Sequence, residues 1–404
     1  MRISTLQAFN NGVSGLQRNY ANATRTQEQI STGNRILTPA DDPVASVRLL
    51  QLEQQQSVLG QYNANLTAAK NSLTQEEVAL NSANTILQRV RELAVQAGNG
   101  ALSAGDRKSI AAELREREDE LLSLMNTRNA RGEYLFSGFQ GKTPPFALVN
   151  SQYEYKGDEG QRKLQVASSL EIPISDNGKS IFENVINAGR LQDAVSSVTS
   201  SSLEVSRPLV GDEVAFSGVG GITVTFGASP DERTYVVTNA NNEEIGEGTL
   251  SADPQADTKL VVGGVTLFIK GEPEAGEILT IAEGPMQKQG ILNTIANLRQ
   301  SLENPSTTNG GVRDAVAVAL TNLDHGMISV DAARGNIGAR LNVIETTQTD
   351  NEDVTLVNKA VQAELRELDY AEALSRLSFQ TIILEAAQQS YVKISGLNLF
   401  NAMR

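Results

Sequence analysis

The feature that most constrains the fold is a stripe of regularly spaced side chains at the N-terminal end of the chain. These positions, most of them apolar, recur at alternating intervals of three and four residues, which places them on one side of an α-helix. A helix with such a heptad seam buries it against a second helix. The stripe consists of Leu6, Phe9, Val13, Leu16, Tyr20, Ala23, Gln27 and Ile30.

The same spacing returns after Pro285 and continues to the last residues of the chain. Two helical ends of one chain can cover each other's seams by running in opposite directions, so the simplest arrangement is an antiparallel bundle. The C-terminal stripe consists of Val316, Leu320, Leu323, Met327, Val330, Ile337, Leu341, Ile344, Val354, Val361, Leu365, Leu368, Leu377, Leu384 and Tyr391.

Between the two ends, from about Glu133, the sequence changes to short β-branched and aromatic runs separated by glycine, proline and asparagine. Such runs predict strands, with a few helical residues near Phe182 to Val195. We therefore predict a mainly α protein with a β insertion: a long antiparallel helical bundle or coiled coil formed by both termini, and a central, predominantly β domain. The predicted strands are Gly221 to Phe226, Thr234 to Thr238, Lys259 to Val262 and Thr266 to Ile269.

Local signals predict where the helices of the N-terminal part begin and end. One helix is expected from about Val44 to Gln96, because glycines follow at 98 and 100 and can cap its end. Ser103 and Asp106 then form a predicted capping box for a helix that ends near Gly132. That helix should carry one face made of Ile110, Leu114, Leu121, Leu124 and Arg128.

Composition narrows the class of partner. Among the 404 residues, 40% are hydrophobic but only 4% are aromatic and none is tryptophan, so packing depends on aliphatic side chains. The net charge of −14 repels phosphate backbones and anionic lipid, so we expect neither nucleic acid nor membrane as a partner. Absence of cysteine excludes disulfides and thiol catalysis. No standard secretory signal is expected in the first twenty residues, which predicts a cytoplasmic protein or export by another route.

The segment "STGNRILTPADDP" at 31–43 interrupts the helical pattern. Thr38 followed by Pro39 and Asp42 followed by Pro43 each combine a capping side chain with a proline, so we predict two successive helix starts. We call Thr38–Pro43 the elbow. Read alone, it is equally compatible with an ordinary turn between two helices.

No catalytic, metal or cofactor site is predicted. Adjacent carboxylates at a helix start, such as Asp41 and Asp42, serve caps more often than acid–base catalysis. His325 is the only histidine, so a packing or surface position is expected rather than a zinc site. The glycines in "GVGG" at 218–221 lack the context of a phosphate loop and predict a hairpin turn.

Several motifs resemble one known family. The segment "ISTGNRILTPADDP" at 30–43 resembles the elbow of bacterial flagellins and their hook-associated relatives, and "LQRVRELAVQAGNG" at 87–100 is similar to the flagellin segment that follows it. The form "PADDP", "GEYLFSG" at 132–138 and the ending "SGLNLFNAMR" at 395–404 resemble the hook–filament junction proteins of this family, the third hook-associated proteins, more closely than flagellin. The resemblance covers about residues 1–142 and 286–404.

The resemblance implies a structural role in the bacterial flagellum. Both termini would form an inner coiled-coil layer of a tube, the adjacent helices a second layer, and the elbow residues Thr38, Pro39, Asp41, Asp42 and Pro43 would set the angle between them. Implied partners are copies of the chain in a ring, the first hook-associated protein, flagellin and a flagellar export chaperone. The implied location is extracellular, at the hook–filament junction, after export by the flagellar type III system. The expected subunit-interface residues are Leu6, Phe9, Val13, Leu16, Tyr20, Ile30, Leu377, Leu384, Tyr391, Leu397, Leu399 and Phe400.

This interpretation divides the chain into five parts. Residues 1–36 form a polymerisation helix, 37–142 and 286–345 the helical bundle, 143–285 a β-rich surface domain, and 346–404 a C-terminal helix that enters the bundle and then the inner layer. Two alternatives remain open. The chain could be a flagellin, the bulk filament subunit, or the β domain could carry an exported binding or enzymatic module.

Overall fold

The computed structural model describes residues 5–195, 202–227 and 233–402. The chain divides into two compact units, the first formed by Met1–Ala64 with Thr346–Arg404 and the second by Asn65–Glu345. The predicted fold class, mainly α with long terminal helices that pack together and a central β insertion, is confirmed. The helices are α1 Thr5–Thr32, α2 Pro43–Ala97, α3 Ala104–Met125, α4 Glu213–Ser217, α5 Ile291–Glu303, α6 Asn309–Arg366 and α7 Tyr370–Ala402.

In the first unit, α1 and α7 pack along each other in opposite directions. Gly12, near the start of α1, lies 3.5 Å from the ring of Tyr391, and Gly33, just after α1, lies 2.9 Å from the hydroxyl of Tyr370, both measured from an ideal glycine Cβ position. Residues later in α1 thus contact residues earlier in α7, as in an antiparallel pair. The antiparallel pairing of the two chain ends follows from the heptad seams that both helices carry.

The helical core of the second unit is built on a leucine seam. Leu66, Leu73, Leu80 and Leu87 of α2 recur at heptad spacing and are fully buried. They pack in one apolar cluster with residues of α3, α5 and α6. The predicted end of α2 is confirmed, because α2 ends at Ala97, directly before the glycines.

The α2 and α6 helices run antiparallel within this unit. The Asn84 side chain donates to Asp331 at 3.2 Å, and Arg91 donates to Asp324 at 2.7 Å. Moving seven residues forward along α2 therefore moves seven residues back along α6, as in an antiparallel pair. This register recurs at heptad spacing along both helices.

The capping box of α3 is confirmed, but its predicted end is wrong. Ser103 accepts from the Asp106 backbone N–H, and the Asp106 side chain accepts from the Ser103 backbone in return. The helix ends at Met125 rather than near Gly132, because the Asn126 side chain pairs with the backbone N–H and C=O of Phe146, both at 3.0 Å. Arg128 therefore lies outside the helical face to which the sequence assigned it.

The β insertion contains thirteen strands among the described residues. Five form one antiparallel sheet in the order β10-β9-β8-β13-β5, β6 and β7 both pair with β12 next to β11 in a second sheet, and β1-β2 and β3-β4 are separate hairpins. The strands are β1 Phe146–Val149, β2 Gln152–Tyr155, β3 Lys163–Gln165, β4 Glu171–Pro173, β5 Leu191–Val195, β6 Glu204–Val205, β7 Leu209–Val210, β8 Ile222–Phe226, β9 Thr234–Asn239, β10 Glu244–Thr249, β11 Thr258–Val262, β12 Val265–Lys270 and β13 Ile278–Glu283.

The two larger sheets share one apolar core. Val224 and Leu279 reach it from the five-stranded sheet, and Leu267 and Ile269 reach it from the other. The four strands that the sequence predicted correspond to β8, β9, β11 and β12, and all four are confirmed. Most of the remaining strands are short and β10 is glycine-rich, whereas β13, with the alternating sequence ILTIAE, was missed.

Two further expectations for the insertion are corrected. The helical residues expected over Phe182 to Val195 are limited to a π-helical turn, Lys179–Glu183, and residues Leu191–Val195 form strand β5 because they pair with β13. The "GVGG" segment is not a hairpin turn, because it leads from the end of α4 at Ser217 into β8.

The C-terminal helical pattern also differs from the prediction at two places. The stripe was expected to run without a break, but residues 367–369 separate α6 from α7. Val354 was expected in the seam, yet its side chain is 40% exposed, and neighbouring Asn351 and Asn358 are buried instead. In this part of α6 the buried face is polar.

Candidate assembly surface and elbow

The elbow is organised around the carboxylate of Asp41. Its Oδ2 accepts from the backbone N–H groups of Leu37 at 2.9 Å and Thr38 at 3.1 Å, and its Oδ1 accepts from the Thr38 hydroxyl at 2.9 Å. Arg25 of α1 forms an ion pair with the same carboxylate. Asp41 thus ties the last part of α1 to the turn that follows it.

These contacts stabilise the charged form of Asp41. The backbone N–H groups of Leu37 and then Thr38 hold the pKa of the Asp41 carboxyl below its ordinary value, the Thr38 hydroxyl and Arg25 act in the same direction, and desolvation opposes them. A carboxylate whose acceptor sites are occupied in this way serves the backbone rather than proton transfer.

Only one of the two predicted helix starts is a helix start. Asp42 caps α2, because its Oδ1 accepts from the Ala45 backbone N–H at 3.0 Å while Pro43 occupies the first helical position. Thr38 and Pro39 instead begin a single turn, closed by a 2.9 Å hydrogen bond from the Asp41 N–H to the Thr38 carbonyl.

The break after α1 is held against the break between α6 and α7. The Arg35 N–H donates to the Arg366 carbonyl at 2.8 Å, and the Leu368 N–H donates to the Gly33 carbonyl at 3.0 Å. The Arg35 guanidinium also donates to the Leu365 carbonyl at 2.9 Å. We call the pairing of 33–35 with 366–368 the clasp. It fixes the point at which both chain ends leave the α2–α6 pair.

The α1–α7 seam contains six of the predicted interface residues. Val13, Leu16 and Ile30 on α1 are half-buried along the antiparallel pair, as are Leu377, Leu384 and Tyr391 on α7. Tyr20 does not share the seam, because its side chain is 65% exposed. The side chains of Leu6, Phe9, Leu397, Leu399 and Phe400 lie outside the described residues.

A second apolar stripe on α7 was missed by the sequence analysis. Phe379 is 66% exposed, Ile382 63% and Ile383 39%, on the side of α7 away from α1. Phe379, Ile382 and Ala386 repeat at spacings of three and four, so the sequence contains this second stripe. It was overlooked because Leu377, Leu384 and Tyr391 form a more regular heptad stripe on the same helix. A helix with apolar side chains on two opposite sides is suited to burial on both.

The helix ends next to the elbow add further exposed apolar side chains. Val44, Val47 and Leu50 of α2 are exposed, and so are Leu356 and Val357 of α6. Val44 and Val47 border a shallow depression of about 560 Å³ at the start of α2. The first unit therefore presents apolar side chains on α2, α6 and α7 that the described part of the chain does not cover.

No catalytic constellation joins the candidate residues. Asp41 and Asp42 both bind backbone groups, and the Nδ1 of His325 lies 3.1 Å from the Ile186 carbonyl oxygen. Within the described residues, no group of three or more metal-binding side chains occurs. No helix in that part of the chain is both long and apolar enough to cross a bilayer.

Comparison with known proteins supports a flagellar relationship. Residues 3–141 match the model of the bacterial flagellin N-terminal helical region. Flagellar hook-associated protein 3 of Escherichia coli (strain K12) is 34% identical over 185 residues, 46% of this chain and 58% of that relative. The chain therefore matches little more than half of the length of this curated relative.

Two comparisons extend over more of the chain. A flagellin of Clostridium tyrobutyricum is 23% identical over 396 residues, 94% of this chain and 95% of that relative. The crystal structure of the flagellar junction protein FlgL from Legionella pneumophila superposes with a TM-score of 0.62 at 26% identity, covering 79% of this chain and all 100% of that one. The resemblance to hook–filament junction proteins, which the motifs predicted, is confirmed.

Proposed function

We propose, from its similarity to flagellar hook-associated protein 3, that the chain is a structural subunit of the bacterial flagellum that joins the hook to the flagellin filament. The observation that carries this proposal is the second apolar stripe of α7. Phe379, Ile382 and Ile383 are unpaired with α1, although aliphatic and aromatic side chains gain about 1.5–3 kcal/mol each on full burial. Packing between copies supplies that burial.

The parts of the chain then take the following roles. Residues 1–36 and the last part of 346–404 form an inner helical layer. Residues 37–142, 286–345 and the first part of 346–404 form a surrounding bundle, and 143–285 a surface domain. The elbow sets the angle between the layers. Asp41 and the clasp support this role, because they bind the turn to both chain ends. The chain acts by packing and not as an enzyme.

A subunit located between the hook and the filament must contact components on both sides. We propose that copies of the chain form a ring that contacts the first hook-associated protein on one side and flagellin on the other. Before assembly, an export chaperone covers the C-terminal helix, whose apolar side chains occur on two opposite faces. The protein reaches the cell exterior through the flagellar type III system. Neither nucleic acid nor membrane is a partner.

A flagellin role is the second candidate. It is favoured by the match to a flagellin over 94% of this chain, whereas the match to hook-associated protein 3 covers 46%. The two roles differ in copy number and position. A flagellin is the main component along the whole filament, while a junction protein occurs only at the distal end of the hook.

Localisation separates the two. The chain, labelled at an added surface tag in its β domain, is expected as a single focus at the hook–filament boundary of isolated flagella, and as a trace component of sheared filaments. Label along the whole filament would replace the junction role with the flagellin role. Absence of label from flagella, in cells that export the tagged chain, would overturn both.

A further inference from the structure

In the first unit, the seam between α2 and α6 is built from amide side chains. On α6 the buried positions include Asn351 and Asn358, and Gln362 is half-buried. On α2 the seam positions Gln56 and Asn63 are also half-buried, and they alternate with Leu52 and Leu59 along the helix. We call Gln56, Asn63, Asn351, Asn358 and Gln362 the amide seam.

The amide seam has a defined register. The Asn351 side chain donates to Asn63 at 3.2 Å. Because α2 and α6 run antiparallel, one heptad back along α2 and one heptad forward along α6 bring Gln56 opposite Asn358. The seam therefore contains two successive amide layers, one heptad apart.

The second layer leaves hydrogen-bonding groups unused. Oε1 of Gln56 and Nδ2 of Asn358 are buried, yet neither binds another described group of the chain. Nε2 of Gln362, one turn further along α6, is in the same condition. A buried polar group without a partner loses its hydration and gains nothing in return, which lowers the stability of this part of the helix pair.

The same two helices have a different seam in the second unit. There the α2 positions are Leu73, Leu80 and Leu87, and the α6 positions include Ile337 and Ile344, all buried. The two helices run antiparallel in both units, but in the second unit α3 and α5 also pack against them, so the seam side chains are one of two differences. Apolar layers stabilise a helix pair, while amide layers give it register at a cost in stability.

We propose that the amide seam is a built-in opening point, at which the elbow-bearing ends of α2 and α6 separate while the second unit stays folded. Most of the stability of a helix in a protein comes from its tertiary packing. The separated ends therefore lose helical hydrogen bonds reversibly. This behaviour belongs to the single chain and does not depend on the proposed flagellar role.

Hydrogen exchange on the full-length chain, read by mass spectrometry, tests the proposal. Amides in 48–62 and 350–364 are expected to exchange at least about tenfold faster than amides in 70–90 and 323–341. The double variant Gln56→Leu and Asn358→Leu replaces the second amide layer with leucine. It is expected to slow exchange in 48–62 and 350–364 by about tenfold or more. The second pair should not change.

A matched double variant controls for the added apolar surface. Gln55→Leu and Lys359→Leu introduce leucines at exposed positions beside the seam and should leave exchange unchanged. Should Gln56→Leu with Asn358→Leu fail to fold, the single variant Asn358→Leu gives the same readout. Equal protection of the two pairs of segments in the parent chain, or no slowing in the layer variant, would overturn the proposal.

Discussion

Charged substitutions on the second apolar stripe of α7 are predicted to block assembly without unfolding the free chain. Phe379 and Ile382 are 66% and 63% exposed, so replacing both with aspartate removes few contacts within the chain. Full burial of such a side chain contributes about 1.5–3 kcal/mol, and about two thirds of that remains to be gained, or about 2–4 kcal/mol for the pair. At 1.4 kcal/mol per factor of ten, the concentration needed for assembly rises roughly 30- to 700-fold.

Two measurements separate assembly from folding. Thermal unfolding followed by circular dichroism should give the same midpoint for the parent chain and for Phe379→Asp with Ile382→Asp. Co-sedimentation with isolated hooks, and swimming of cells that carry only the variant, should both be lost. Gln388→Asp, an exposed position on a different side of α7, is the control and should leave assembly intact. Assembly of the double variant at the same concentration as the parent chain would refute the reasoning. A lower unfolding midpoint of the double variant would refute it too.

Four further substitutions test the fold. Gly33→Ala should destabilise the first unit by about 1–2 kcal/mol, because Gly33 has a φ of 70° and its new Cβ would lie 2.9 Å from the Tyr370 hydroxyl, whereas Gly15→Ala, with open space around it, should raise the unfolding midpoint. Leu80→Ala should cost the second unit about 3–5 kcal/mol in denaturant unfolding, and a cost under about 1 kcal/mol would contradict the buried leucine seam. Burial raises the pKa of Glu183 from 4.5 to about 7, so its contribution to stability is complete below pH 4.5 and is lost as the pH rises through 7; Glu183→Gln should remove this dependence from the unfolding midpoint.

The helical ends could be predicted because their signals are local. The α2 helix has a proline at its first position, a capping aspartate before it and glycines after it, and its leucines repeat along one face. The capping box of α3 is equally local. Each of these features depends on residues within a few positions of each other, so sequence spacing alone identifies them.

Other features depend on residues far apart in the chain. The sequence of β5 does not by itself favour a strand over a helix. It forms a strand because β13 pairs with it, with Leu191 opposite Glu283. The break between α6 and α7 contains no proline or glycine. Asp369 caps the start of α7, and the Leu368 N–H bonds to the distant Gly33 carbonyl instead of continuing α6. The buried amides of α6 were missed for a related reason, since the apolar Val354 was assigned to the seam in preference to Asn351 and Asn358.

The clasp has a consequence for the order in which the chain matures. Next to it, the hydrogen bond from the Arg35 guanidinium to the Leu365 carbonyl joins residues 330 positions apart, so the bend between α1 and α2 contacts a segment made near the end of synthesis. Contacts of such long sequence separation form late, after local helices are in place. A nascent chain that stops short of residue 366 can form α1, α2 and the Asp41 contacts of the elbow, but it lacks the hydrogen bonds that the clasp adds.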